Sequence, residues 1–319
     1  MSEVGRPVER YGAEPGPHAV EQRLESWHDE QRGRDVPVRL YWPGGPLAPV
    51  PVVIFSHGLG TSRDDYRYLG EHWASHGYLS VHLTHIGSDE TALRGPGGLP
   101  PRRLADFLDD VPHRIDRPRD ASFAIDYLSR NSDLARRVDL ARIAVAGHSY
   151  GAYVAHALVG LTVDLPDRKN VSFTDPRVRA AIVMSPQSKD KFGLHPGSWN
   201  HIDVPVLSLT GTRDIEYGVG SAAPRRTSYD STPGRDQYLV TIEGATHATF
   251  NDFRPLRIST KALDPAHHDY VRMATVAFLD AYLRDRAAAQ QWLLSRALEQ
   301  LSDGACRLEY KNTTPITPV

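Results

Sequence analysis

The pentapeptide Gly147-His148-Ser149-Tyr150-Gly151 constrains this chain more than any other stretch. Before it, Arg142-Ile143-Ala144-Val145-Ala146 reads as a short buried strand. After it, Ala152-Tyr153-Val154-Ala155-His156-Ala157-Leu158 reads as the first turns of a helix. A strand, a sharp turn and a helix in that order put Ser149 on a nucleophile elbow, with its hydroxyl above the end of a sheet. Such a turn drives the serine toward positive φ and crowds its neighbours, so glycine is needed on both sides.

Apolar runs elsewhere alternate with helical spacing. Strand candidates are Val20–Trp27, Val36–Trp42, Val50–Phe55, Tyr78–Leu83, Val178–Met184, Val204–Thr210 and Tyr238–Ile242, the last of the series. Helix spacing covers Asp64–Ser75, returns near Pro118 with Asp116 close to the cap, and starts again at Asp264-Pro265. A second late segment from Asp285-Arg286 carries Ala289, Leu293, Ala297 and Leu301 in register. This pattern predicts an α/β fold: a mostly parallel central sheet with helices on both faces and an antiparallel start. The expected organisation is a loosely ordered segment 1–19, one domain over 20–303 with an insertion at about 84–116, and a tail over 304–319. The insertion holds Gly95-Pro96-Gly97-Gly98 and Pro100-Pro101 and reads as a large loop over one end of the sheet.

Composition removes several function classes. Lys and Arg number 37 and Asp and Glu 39, so there is no basic excess to attract nucleic acid or anionic lipid. Cys306 is the single cysteine, which rules out an intramolecular disulfide. Met1 to Val20 lacks a basic start and an apolar stretch, the pattern of a cytoplasmic chain, although a processed secreted chain would read the same. No window approaches eighteen apolar residues, so no membrane span is expected. His82, His85, His195 and His201 are scattered without metal-ligand spacing, and neither cofactor nor metal is implied.

A serine hydroxyl needs a base, usually a histidine oriented by a buried carboxylate. Both should follow later strands, where catalytic groups gather at the carboxyl ends. Asp214 is the leading acid, after Val206 to Gly211; Asp190, in the loop after the preceding strand, is the serious rival, with Asp203 and Asp236 less well placed. His247 in Gly244-Ala245-Thr246-His247 is the leading base. His148 should be turned away by the elbow, His156 sits on the following helix, and His267 and His268 read as exposed. An oxyanion would take one backbone N–H from Tyr150, and another from Leu59 in the loop Ser56-His57-Gly58-Leu59-Gly60.

With these segments in hand, the chain resembles the alpha/beta-hydrolase superfamily. Within it, the chain is most similar to the plasma-type platelet-activating-factor acetylhydrolase and dienelactone-hydrolase-like group. The likeness rests on Phe55-Ser56-His57-Gly58-Leu59-Gly60, Gly147-His148-Ser149-Tyr150-Gly151, Gly211-Thr212-Arg213-Asp214 and Gly244-Ala245-Thr246-His247, and covers roughly residues 20 to 285. The resemblance implies a serine esterase with Ser149 as nucleophile, Asp214 as acid, His247 as base, and the Leu59 and Tyr150 amides as oxyanion hole. Ala152 stands where family elbows often carry another glycine, and serine replaces the cysteine nucleophile of true dienelactone hydrolases. The expected substrate is a small carboxylic ester of short to medium acyl length, because the proline-rich 84–116 loop reads as a fixed rim. A peptidase or acyltransferase on the same triad, and a non-catalytic binding protein of this fold, are the alternatives.

Overall fold

The computed structural model describes residues 11–45, 49–93, 110–216, 220–252 and 264–311. Residues 94–109, most of the expected insertion, therefore lie outside the described residues, as do 1–10 and 312–319 at the two ends.

Eleven strands are described: β1 (Val20–Asp29), β2 (Arg34–Pro43), β3 (Val50–Ser56), β4 (Leu79–Leu83), β5 (Val138–His148), β6 (Thr162–Val163), β7 (Val171–Ser172), β8 (Val178–Met184), β9 (Val206–Arg213), β10 (Gln237–Thr246) and β11 (Cys306–Lys311). Nine form one sheet in the order β1-β2-β4-β3-β5-β8-β9-β10-β11, and β6 pairs with β7 apart from it. From β4 to β10 every neighbouring pair is parallel; β1, β2 and β11 are antiparallel to their neighbours. The central strands are buried on both faces, which is why β3 and the second half of β5 read as continuous apolar runs. One face is covered by the helices Val111–Arg130 and Tyr150–Leu158, through Ile125, Leu128 and Tyr153. The other face is covered by Arg67–Ser75, Pro265–Leu283 and Ala287–Leu294, through Trp73, Phe278 and Trp292. The mostly parallel sheet between two helical layers is the architecture the sequence pattern implies.

Several elements differ from the sequence reading. The helix expected near Pro118 begins at Val111, with Pro118 inside it. Proline has no N–H for the carbonyl four residues back. That carbonyl belongs to Arg114, and the Tyr153 hydroxyl donates to it at 3.0 Å, so the helix continues through the proline. The helix expected from Asp64 begins at Arg67, because Tyr66 is left-handed (φ 62°) and the Asp252 carboxylate accepts from the amides of Tyr66 and Tyr68. Tyr238–Ile242 is not the last strand: Cys306–Lys311, inside the expected tail, pairs along β10. The late helical segment breaks at Ser295 into Ala287–Leu294 and Ala297–Leu301. His267 is buried and donates from its ring to the Glu243 carbonyl, and His268 is half-buried and stacked on Tyr68, so neither is an exposed residue.

Candidate active site

The elbow's geometry explains its sequence. Ser149 has φ 54° and ψ −118°, a strained conformation for a residue with a side chain. A Cβ on Gly147 would sit 2.1 Å from the Gly151 carbonyl oxygen, and one on Gly151 would sit 1.9 Å from that of Ser56. Glycine at both positions lets β5, the start of helix Tyr150–Leu158 and the end of β3 approach backbone to backbone. Ala152, which follows the elbow's second glycine, is fully buried.

Ser149, Asp214 and His247 follow β5, β9 and β10 at their carboxyl ends. The Ser149 hydroxyl is 3.0 Å from His247 Nε2, and His247 Nδ1 is 3.1 Å from Asp214 Oδ1. Asp214 is fully buried, whereas the His247 side chain is 41 % exposed, so the serine end opens to solvent. A Cβ on Gly211 would meet the Ala245 carbonyl at 2.1 Å, and its absence lets the ends of β9 and β10 converge. Burial pushes the Asp214 carboxyl up, but the bond to His247, the charge of Arg225 and the Ser185 hydroxyl outweigh it and bring the carboxyl down to about 2. Thr210 also donates to Oδ2, at 3.0 Å.

The other candidates are elsewhere. Asp190 is exposed and left-handed at φ 67°, with its amide on the Leu194 carbonyl. Asp203 is exposed, and Asp236 at the start of β10 accepts from Tyr310. His148 is buried with its Nδ1 on the Tyr66 hydroxyl; its ring lies beside that of His247 at 4.8 Å rather than far from it. His156 is buried in the elbow helix. Tyr150 opens that helix, and Leu59 lies in the loop after β3, where a Cβ on Gly58 would come 3.5 Å from the Ser149 Cβ.

Sequence reasoning missed two residues that touch this array. Ser185 follows β8, the strand between those carrying Ser149 and Asp214, and is left-handed at φ 53°. Its hydroxyl is 2.8 Å from Asp214 Oδ1 and 2.7 Å from His247 Nδ1. Its position after a strand end is a usable signal, but a serine there is neither an acid nor a base and so does not stand out as a triad member. Arg225 is buried, with Nε 3.2 Å from Asp214 Oδ1 and Nη1 donating to the Ser185 and Pro186 carbonyls. Glu216, 3.8 Å away, supplies a second negative charge and accepts from the Ser188 amide and hydroxyl. Nothing local in the sequence marks Arg225. Among the described residues no three His, Cys, Asp or Glu side chains are grouped to hold a metal ion, and no helix is long and apolar enough to cross a membrane.

Comparison with known proteins adds an independent line. The model of the alpha/beta hydrolase family matches residues 53–311. Cutinase est1 of Thermobifida alba is 26 % identical over 198 residues, covering 61 % of this chain and 52 % of the cutinase. Platelet-activating factor acetylhydrolase of Cavia porcellus is 23 % identical over 285 residues, covering 76 % of this chain and 59 % of the relative. The matches thus span between half and three fifths of these relatives' lengths.

Proposed function

The chain belongs to the alpha/beta hydrolase family, and from that premise we propose that it is a serine esterase cleaving small carboxylic esters. The observation that carries the reading is the unbroken hydrogen-bond series Ser149–His247–Asp214, with its serine on a strained elbow. Ser149 Oγ attacks the ester carbonyl carbon as its proton passes to His247 Nε2. The oxyanion accepts from the Leu59 and Tyr150 amides. Collapse expels the alcohol, which takes the proton from His247, and leaves an acyl-serine. Water, deprotonated by His247, then attacks the acyl carbon and returns the enzyme. Asp214, ionised throughout at neutral pH, orients the imidazole and stabilises its cation. These steps require no metal or cofactor. The names of the relatives, cutinases and acetylhydrolases, agree with ester chemistry. We take the acyl preference as short to medium.

The test is hydrolysis of p-nitrophenyl esters from two to sixteen carbons, with fluorophosphonate labelling. Ser149→Ala should abolish labelling and lower turnover by about 10⁴-fold or more in a folded protein. Turnover near wild type in that variant would overturn the nucleophile assignment. A higher kcat/KM for palmitate than for butyrate would overturn the chain-length reading. Hydrolysis of amides in preference to esters would favour a peptidase.

A further inference from the structure

We propose that Arg117 is a positioning residue of the oxyanion site, locking the Gly58–Leu59 peptide so that the Leu59 N–H faces the reacting carbonyl oxygen. The inference rests on the esterase reading and adds to it a residue from a distant helix.

Arg117 lies in helix Val111–Arg130 and is fully buried. Its Nη1 donates to the His57 carbonyl at 2.9 Å and its Nη2 to the Gly58 carbonyl at 3.4 Å. Its Nε donates to the Ser88 hydroxyl at 2.9 Å, and the Ser88 carbonyl in turn accepts the Gly60 amide at 3.0 Å. The oxyanion loop is therefore gripped at both ends. The Gly58 carbonyl also accepts from the Thr61 hydroxyl (3.0 Å) and from His57 Nδ1 (2.6 Å). The His57 tautomer is set by its other nitrogen, which accepts the His85 amide at 3.0 Å. Burial, then the charges of Arg117 and His85, hold His57 well below its ordinary pKa, so the ring is neutral.

A trans peptide is planar, with its N–H opposite its C=O. Several donors pull the Gly58 oxygen inward, so the Leu59 N–H points the other way, and no acceptor among the described residues takes it. This peptide is next to the nucleophile, since a Cβ placed on Gly58 would lie 3.5 Å from the Ser149 Cβ. The same guanidinium lies 4.3 Å from the ring centre of Tyr150, whose amide is the other proposed donor. One side chain thus braces both halves of the oxyanion site.

Charge is part of the argument. A buried cation costs several kcal/mol unless paired. Among the described residues no carboxylate lies within 4 Å of Arg117. Asp120, one turn along the helix, is committed to Arg32, Arg34 and His85. Burial lowers the guanidinium to about 10, which leaves it charged at neutral pH. A cation bonded to the Gly58 carbonyl polarises the peptide and strengthens its N–H as a donor to a developing oxyanion.

The experiment measures kcat and KM for p-nitrophenyl butyrate, inhibition by butaneboronic acid (which forms a tetrahedral adduct on an active serine) and thermal melts. Arg117→Met should lower kcat by about 10²-fold with KM within about twofold, and weaken the boronate by a similar factor. Arg117→Lys should recover about tenfold of that loss. Ser88→Ala, a small change that removes one anchor of the guanidinium, should lower kcat about three- to tenfold at unchanged KM. If the methionine variant does not fold, the other two are read on the same scale. A folded Arg117→Met with kcat within twofold of wild type overturns the proposal; so does a Ser88→Ala protein with unchanged kcat and boronate affinity, or losses that appear in KM alone. If wild type hydrolyses the ester and Ser149→Ala does not, such a result removes only the role of Arg117. If wild type neither hydrolyses esters nor labels, the esterase reading fails first.

Discussion

Removing the Ser185 hydroxyl should slow ester hydrolysis about 5- to 30-fold while leaving KM nearly unchanged. The hydroxyl can donate only one proton. It donates to Asp214 Oδ1 at 2.8 Å, so at 2.7 Å its lone pair receives the His247 Nδ1–H, a shorter contact than the 3.1 Å from Nδ1 to Asp214. The hydroxyl therefore relays the acid's charge to the base. Hydrogen bonds to charged groups contribute about 1.5–3 kcal/mol. In Ser185→Ala the direct contact of His247 with Asp214 survives, and Thr210 and Arg225 still hold the carboxylate. A net loss of about 1–2 kcal/mol is then expected, which converts to the stated factor. Asp214→Asn removes the charge itself and should cost more, about 10²- to 10⁴-fold. Backbone strain provides an internal control. Ser185 is left-handed at φ 53°, so alanine keeps the strain and glycine relieves about 1 kcal/mol of it. Ser185→Gly should match the alanine variant in kcat while melting at higher temperature. Steady-state kinetics with p-nitrophenyl butyrate and thermal melts of both variants decide the matter. A kcat/KM within twofold of wild type in Ser185→Ala, or full activity in the glycine variant alone, would refute the relay.

Two further outcomes follow from the same geometry. Gly151→Ala places a methyl group 1.9 Å from a backbone oxygen of β3, and urea unfolding should show a loss of about 3 kcal/mol or more; native-like stability would contradict the close approach. The folded Asp214 carboxyl, at about 2, lies below its unfolded value of 3.8, so its contribution is fully present above pH 4 and is lost as pH falls toward 2. At 1.36 kcal/mol per unit this is about 2 kcal/mol, and the stability gap between wild type and Asp214→Asn should shrink by that amount between pH 6 and pH 2; a gap independent of pH would contradict the lowered carboxyl.

What could be read from the chain was local. The elbow declares itself because its glycines, strand and helix are contiguous, and Asp214 and His247 because each follows an apolar run and a glycine turn. What could not be read was made by partners far away in sequence. Pro118 reads as a helix start, but the Tyr153 hydroxyl, 35 positions on, donates to the carbonyl the proline leaves without an amide, and the helix runs through it. Strand β11 has the polar, half-exposed pattern Cys-Arg-Leu-Glu-Tyr-Lys of an edge, which β10 recruits by pairing rather than by burial on two faces. Arg117 and Arg225 carry no local signature; the carbonyls they meet, 39 to 60 positions away, and for Arg225 the carboxylates of Asp214 and Glu216, give them a role.

The place of Ser185 follows from the order of the strands. Ser149 and Asp214 end β5 and β9, which are separated by β8. Neighbouring strands lie about 4.8 Å apart, so the two ends are roughly 10 Å from each other, too far for direct contact of a serine with an aspartate. The imidazole of His247, reaching back from the end of β10, bridges that gap and must pass over the end of β8. The residue at that end has to be small enough to lie beneath the ring. It must also be polar, because it faces the buried edge of the imidazole and the carboxylate: Arg225 Nη2, 3.2 Å from Nδ1, is a donor, so an apolar group there would leave the Nδ1–H with Asp214 Oδ1, at 3.1 Å, as its one acceptor. Serine satisfies both demands at the cost of a left-handed backbone. Arg225, donating to the consecutive carbonyls of Ser185 and Pro186, holds the chain in that conformation, and its charge, set between Asp214 and Glu216, keeps the buried carboxylates from repelling each other. The acid, the base and the strand between them are thus one electrostatic unit, and a substitution at any of these positions should be felt first at the Nδ1 of His247.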